Sequence, residues 1–242
     1  MRSLAIETSG RLGSVALVEH GKVVGERAFS HGLKHAAGLL PLIDGMMRPL
    51  KWTPVGLKEL YVSRGPGSFT GLRIGITLAK TLAFTNGAKI VPVPSLHVLA
   101  YNAPVEANQV IIVLDAKRDQ IFTARYQRAG EDWIECEPAH LDSLSAMLDR
   151  SPRPVHLIGE GIPYHAKFLP PDAADIIVTP DSTWHARAAV VAMLGMRLAY
   201  QGKFVTADQF TPAYVRIPEA EEKYNQQHPI DLPIKSGYDR DR

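Results

Sequence analysis

The feature that most limits how this chain can fold is a pattern written twice. Residues 4–6, 14–18 and 23–28 are short apolar or alternating runs joined by glycine-bearing turns, which predicts three strands. A helical period follows over about 33–50, then a strand over 60–63, a helix over about 70–84, a strand over 89–93 and a helix after Pro94-Ser95. After Ala103-Pro104 the order restarts. Strands are expected over 110–114, 121–126 and near 133–135, with a helix after Asp142-Ser143. A strand over 155–158, a short helix near 164–168, a strand over 175–178 and a long helix over about 183–200 complete it. Each copy reads βββαβαβα. Such alternation predicts an α/β protein in two lobes, residues 1–104 and 105–218, with the helix over 183–200 able to pack back on the first lobe. Past Pro212, Tyr214-Val215-Arg216 reads as a short strand or an extended arm, and the polar tail over 219–242 is expected to be flexible.

The repeat aligns chemically as well. Glu7 ends the first strand of one copy and Asp115 ends the first strand of the other, each followed by a polar turn. Ligands in α/β sheets sit beyond the carboxyl ends of strands, so two facing lobes would bring both acids toward one cleft. Acids also cap strands with no ligand in view. For Asp115 alone the two readings weigh evenly, and the matched pair favours the cleft.

Composition removes several classes. With 242 residues and 45% apolar content, the chain can bury a core without disulfide or metal staples. A net charge of +2 is far from the basic excess of an autonomous nucleic-acid binder. Cys136 is the single cysteine, so no internal bridge can form, which fits a reducing compartment. Glu7 interrupts any signal-peptide core, and no run approaches the ~20 apolar residues of a membrane span. A soluble, cytoplasmic protein is expected.

The most distinctive stretch runs from Ser63 to Gly75, with Gly65-Pro66-Gly67-Ser68-Phe69-Thr70-Gly71 at its centre. It joins a strand to a helix, where backbone N–H groups favour anions, yet it lacks the Gly-Lys-Ser/Thr ending of a phosphate loop. Ser68 or Thr70 suits the helix N-cap. Gly71, Gly75, Ala79 and Ala83 then recur every four residues and form a shallow groove along one helix face. Glycine inside a helix costs about 1 kcal/mol relative to alanine, so the row asks for a packing reason. Its partner is either internal or another chain.

The preceding helix bears on that choice. Leu33, Ala36, Leu40, Ile43, Met47 and Leu50 make a core stripe, and His35, Leu39, Leu42 and Met46 make a second stripe on another face. Pro41 removes one hydrogen bond from its middle. A helix apolar on two sides beside a glycine groove reads as a docking surface.

Other candidates are weaker. His31 and His35 have the i, i+4 spacing of metal ligands, but Gly32, Leu33 and Lys34 between them supply no acid, and the lysine opposes a cation. Gly159-Glu160-Gly161 follows a strand where two-lobed nucleotide folds keep a base-binding turn. Lys117, Arg118, Arg125 and Arg128 cluster on the second lobe's hairpin, where they could meet phosphates or only solvate a strand edge. Cys136 has no activating neighbour in sequence.

Taken together, Leu4-Ala5-Ile6-Glu7-Thr8-Ser9, His35 with Leu39-Leu40-Pro41, and Gly65 through Gly75 with Ala79-Lys80 resemble the TsaB (YeaZ) family. Asp115-Ala116-Lys117-Arg118 and Pro212-Ala213-Tyr214-Val215-Arg216 extend the resemblance to about residue 220. It implies the ASKHA (actin/Hsp70-like) fold of two tandem RNase-H-like lobes. It further implies a non-catalytic, cofactor-free and metal-free subunit of the bacterial machinery that makes N6-threonylcarbamoyladenosine at position 37 of tRNAs reading ANN codons. In that machinery the catalytic paralogue TsaD transfers the threonylcarbamoyl group, TsaB pairs with TsaD, and the ATPase TsaE joins the pair. Transfer RNA is met only through the complex, and the isolated subunit can self-pair. The implied partner interface is His35, Leu39, Leu42, Met46, Gly71, Arg73, Gly75, Ala79 and Ala83. A vestigial nucleotide cleft would hold Glu7, Thr8, Ser9, Asp115, Gly159 and Gly161, with Glu7 standing where the family usually has aspartate. Two other readings are a small-molecule kinase of the same fold, with Glu7 or Asp115 as base or Mg²⁺ ligand, and a metallopeptidase through His31 and His35.

Overall fold

The computed structural model describes residues 1–30 and 35–215. Strands β1 (Arg2–Glu7), β2 (Leu12–Glu19) and β3 (Lys22–Ser30) form an antiparallel meander. On the other side of β1, β4 (Leu57–Ser63) and β5 (Lys89–Val93) add in parallel, so the sheet runs β3-β2-β1-β4-β5. Its connections carry α1 (His35–Met47) and α2 (Phe69–Asn86), and α3 (Ser95–Ala100) leads out.

The second sheet repeats the plan. Its first strand is broken into β6 (Gln109–Ile112) and β7 (Leu114–Asp115), followed by β8 (Ile121–Ala129) and β9 (Asp132–Asp142). Helix α4 (Leu144–Arg150), β10 (Val155–Ile158), α5 (Ile162–His165), β11 (Ile176–Val178) and α6 (Ala188–Tyr200) complete it. The order is β11-β10-β6-β8-β7, with β9 paired to β8. The doubled α/β architecture read from the sequence is present. The last helix begins later than expected, because 181–183 is a separate 3₁₀ turn. No strand forms at Tyr214 and Val215, and Arg216 with the tail lies outside the described residues.

Alternation within β1 explains the layering. Leu4 and Ile6 point to one face, where they join Val15, Leu17, Leu60 and Val62 under α1 and α2. Ala5 points to the other face and joins Tyr61, Val91, Val93 and the buried residues of α6. That same cluster takes Val110, Ile112, Ala124 and Tyr126 from the second sheet, so α3 and α6 are the filling between two sheets. The far face of the second sheet is covered by Leu144, Met147 and Leu148 of α4. Helix α6 packs across β1, β2, β4 and β5, and belongs to the first sheet by contact although it follows the second in sequence. Its exposed first amides are met by first-sheet side chains: Ala188 N–H donates to Ser14 Oγ at 2.8 Å and Ala189 N–H to Glu26 Oε1 at 2.9 Å.

Two expectations for α1 and α2 are corrected. Along α1, Leu39, Ile43 and Met47 are the residues seated in the core, whereas Leu40 and Leu50, expected there, are 56% and 40% exposed. Both rows have helical spacing; the sheet selects Leu39–Ile43–Met47, an uninterrupted i, i+4 ridge, and turns Leu40 outward. Leu33 lies outside the described residues, as do the side chains of His35 and Ala36.

The glycine–alanine row of α2 serves the chain itself. A Cβ at Gly71 would lie 2.0 Å from Thr8 O, and one at Gly75 would lie 2.4 Å from Thr8 Oγ1. Ala79 is fully buried in the cluster beneath α2, and Ala83 is half-buried against it. Gly71, Gly75 and Ala79 are therefore not a notch awaiting another chain. They let α2 lie directly on the end of β1, and a substitution there tests the fold rather than a partner. Ser68 Oγ accepts the Gly71 N–H at 3.2 Å as N-cap, and Gly87 ends the helix in the left-handed conformation.

Gly71→Ala should destabilise more than Gly75→Ala. The first methyl meets a backbone carbonyl that cannot move alone, and the second meets a hydroxyl that can rotate. Overpacking of this kind costs about 1–3 kcal/mol, set against about 1 kcal/mol regained in helix propensity. Urea unfolding at equal slope should rank the midpoints wild type, Gly75→Ala, Gly71→Ala, from highest to lowest.

Candidate functional site

The outer faces of α1 and α2 leave an open groove of about 590 Å³ whose walls are mostly aliphatic and aromatic, among them Leu39, Leu40, Phe69, Ile74, Leu78 and Leu82. A second hollow of about 310 Å³ continues beyond Leu40 and Leu82 to Trp52 and Pro54. Further along α2, Phe84 is 89% exposed. Large apolar side chains are rarely left in water in such density on one face of a protein.

One end of the groove is built from an unusual cluster. After α6, Phe210 is buried, and Ala213 N–H donates to Arg64 O at 2.7 Å, which straps the chain across the start of α2. The strap sets the Tyr214 ring 5.3 Å from the Phe69 ring. The Arg73 guanidinium carbon lies 3.9 Å over Phe69, and Arg73 Nε–H donates to Tyr214 Oη at 3.1 Å.

The expected interface residues divide. Arg73 is exposed at the groove, and Leu42 and Met46 are half-buried against the core below α1. Leu39 is at once groove floor and core. His35 opens α1, but its side chain lies outside the described residues. Sequence reasoning missed Leu40, Phe69, Ile74, Leu78 and Tyr214. Ile74 and Leu78 form an i, i+4 pair one position before the glycine row, and that spacing is their signal in the sequence.

The expected cleft residues also divide. Glu7 is fully buried, and its Oε1 accepts from Ser9 N–H at 2.5 Å and Ser9 Oγ–H at 2.6 Å, while Oε2 has no partner. Burial pushes its carboxyl above the usual range; the Ser9 hydrogen bonds oppose this, and the nearby charge of Glu160 adds to it. Thr8 faces α2, its amide donating to Ser63 Oγ at 3.2 Å. Asp115 accepts from Lys117 Nζ at 2.7 Å and lies 3.2 Å from His165 Nε2. Partial burial works against its charge, but the Lys117 and His165 contacts prevail and hold it below the ordinary value. Gly159 and Gly161 pass so close to Val113 and Asp115 that a Cβ would come within 2.3 and 2.5 Å of their backbones, which is a packing role.

What lies between the two turns was not anticipated. Both oxygens of Glu160 accept from the Arg11 amide, at 3.1 and 2.9 Å, and His185 Nδ1 lies 3.5 Å from Glu160 Oε2. The Arg11 guanidinium hydrogen-bonds the Tyr164 hydroxyl and covers its ring. The loop after β1 is thereby latched to the loop and helix after β10. The acid between the two glycines, Glu160, is the sequence signal for this latch.

The basic hairpin residues have internal partners. Arg128 donates to Ala107 O at 2.6 Å and Pro104 O at 2.7 Å, and Arg125 donates to Gln109 Oε1 at 3.1 Å. Among the described residues no cluster of three or more His, Cys, Asp or Glu could hold a metal ion, and no helix is long and apolar enough to cross a membrane. His31, on which the metallopeptidase reading depends, lies outside them.

The family model of TsaD, tRNA N6-adenosine threonylcarbamoyltransferase, matches residues 22–223. The tRNA threonylcarbamoyladenosine biosynthesis protein TsaB of Bacillus subtilis is 30% identical over 230 residues, which span 93% of this chain and 98% of that protein. TsaB of Escherichia coli is 33% identical over 130 residues, 53% of this chain and 56% of that protein. YeaZ from Pseudomonas aeruginosa superposes with a TM-score of 0.74 at 24% identity, covering 88% of this chain and 99% of that one, and so has the same fold. With a relative 30% identical and matched along nearly the whole of both chains, the chain belongs to the TsaB (YeaZ) family.

Proposed function

We propose that this chain is a non-catalytic subunit in the biosynthesis of tRNA threonylcarbamoyladenosine. In this reading it docks on TsaD through the α1–α2 groove and supports threonylcarbamoyl transfer to N6 of adenosine 37 in tRNAs reading ANN codons. TsaE joins the pair, tRNA is met through the complex, and a second copy of the chain takes the groove when TsaD is missing. The pathway comes from the names of its relatives. The single observation that carries the docking role is the groove itself, with the exposed Leu40 and Phe69 in its lining. Covering side chains of this size contributes about 1.5–3 kcal/mol each, enough to drive association.

The same reading accounts for the cleft. A kinase site needs an ionised acid to hold Mg²⁺ or accept a proton and open space for phosphates. Here Glu7 is buried with a raised pKa and one oxygen committed to Ser9, and Glu160 fills the Arg11 amide from across the cleft. A latched cleft suits a scaffold better than an enzyme.

Leu40→Asp should leave the unfolding midpoint of the isolated chain unchanged, since the residue is exposed, while weakening TsaD binding by about 100-fold or more in calorimetric titration. Unchanged affinity would remove the groove from the interface. Titration of the isolated chain with MgATP should give no heat of binding.

Glu7 makes a separate prediction about pH. Its folded pKa is raised, so above the unfolded value the folded state retains a proton that the unfolded state has lost. Stability is therefore lost as pH rises from the unfolded pKa, near 4.5, toward the folded one. Glu7→Gln keeps an acceptor for Ser9 and removes the titration. Its stability relative to wild type should increase across that window in urea unfolding, and parallel curves would contradict the buried-acid description.

A further inference from the structure

The geometry points to Arg73 as a preset clamp for a carboxylate on whatever helix fills the groove, with Tyr214 and Phe69 as the residues that hold it; this rests on the docking role of the groove proposed above. Arg73 is exposed, yet it is not a loose side chain. One face of its guanidinium lies on the Phe69 ring, and its Nε–H is committed to the Tyr214 hydroxyl. The bonds to Nε and the ring contact leave the two terminal nitrogens as the free edge of the fork. Among the described residues no carboxylate pairs with Arg73.

Three features specify the occupant. Along α2 the groove runs from Phe69 to Leu82, about 20 Å at 1.5 Å per residue, which matches some four turns of a partner helix. Its wall repeats Ile74, Leu78 and Leu82 at i, i+4, a ridge that interdigitates with another helix. Among the described residues that line the groove, Arg73 is the one cation, and it stands at the Phe69 end. The complementary partner is therefore a helix with an apolar face and an Asp or Glu placed to meet Arg73 when the apolar faces engage. Arginine pairs with a carboxylate through two parallel hydrogen bonds, and a fork already immobilised loses little entropy on pairing. Tyr214 acts as a positioning residue, because its hydroxyl fixes which edge of the guanidinium faces the groove. The apolar walls would give affinity and Arg73 would set register and choice of partner.

The test is calorimetric titration of the full chain with its cognate TsaD across a salt series. Loss of a charge-assisted pair should weaken binding about 10- to 100-fold for Arg73→Glu and flatten the salt dependence. Arg73→Lys keeps the charge without the fork and should lose about 10-fold. Tyr214→Phe keeps the stacking but frees the guanidinium, and should lose a few-fold, roughly 3-fold, at an unchanged unfolding midpoint. Wild-type affinity and salt slope for Arg73→Glu, or wild-type affinity for Arg73→Lys, would overturn the clamp. Leu40→Asp separates the two proposals: if it abolishes binding while Arg73→Glu does not, the groove stands and the clamp falls. If neither variant matters, the groove reading itself has failed.

Discussion

Everything in the first lobe depends on how closely α2 approaches the end of β1. With no side chain at Gly71 or Gly75, the helix rests on Thr8, and that distance fixes the height of α2 above the sheet. The height in turn decides where Ile74 and Leu78 emerge and how deep the groove beside α1 becomes. The same approach holds the 8–11 loop from below, since Ser68 N–H donates to Ser9 O at 2.7 Å. One backbone contact thus positions both the groove and one lip of the cleft.

Side-chain contacts join the two halves at both ends of their junction. The Arg11–Glu160 and Arg11–Tyr164 contacts close one side. On the other, Arg197 of α6 is bonded to Asp132 and Tyr101, joining the last helix to the β8–β9 turn. His97, stacked on Tyr126 at an interplanar angle of 4°, fills the space behind them. Its imidazole is kept below its ordinary pKa chiefly by burial, so this packed centre favours the neutral ring. A body latched in this way presents a fixed surface, and a fixed surface loses little entropy in any association.

Much of this was legible in the residues. The order of elements followed from alternation and turn chemistry, and the doubling identified the architecture, because each strand run of β1, β2 and β4 carries its own period. The faces of the helices were harder. Leu39 and Leu40 are adjacent, and both belong to rows with helical spacing; only the sheet beneath α1 tells which row is buried. The glycine row was recognised as a close approach, but a sequence does not say what approaches. Here the partner is Thr8, sixty-odd residues away in the chain. The strap was invisible for the same reason, since nothing local to Tyr214 announces Phe69 and Arg73.

The cleft acids show why position alone underdetermines chemistry. Glu7 and Asp115 end equivalent strands, yet their environments push them apart. Glu7 is enclosed, hydrogen-bonded by Ser9 with Ser63 beside it, and faced by another carboxylate; burial above all raises its pKa. Asp115, near the surface, is held charged by Lys117 and His165. A pair of acids needs a shared cation or a shared proton path to act together, and each of these has instead found separate partners, Ser9 for Glu7 and Lys117 with His165 for Asp115. The symmetry that the duplication wrote into the backbone has been broken by side chains. What remains of the doubled site is a clasp between the loop after β1 and the loop and helix after β10.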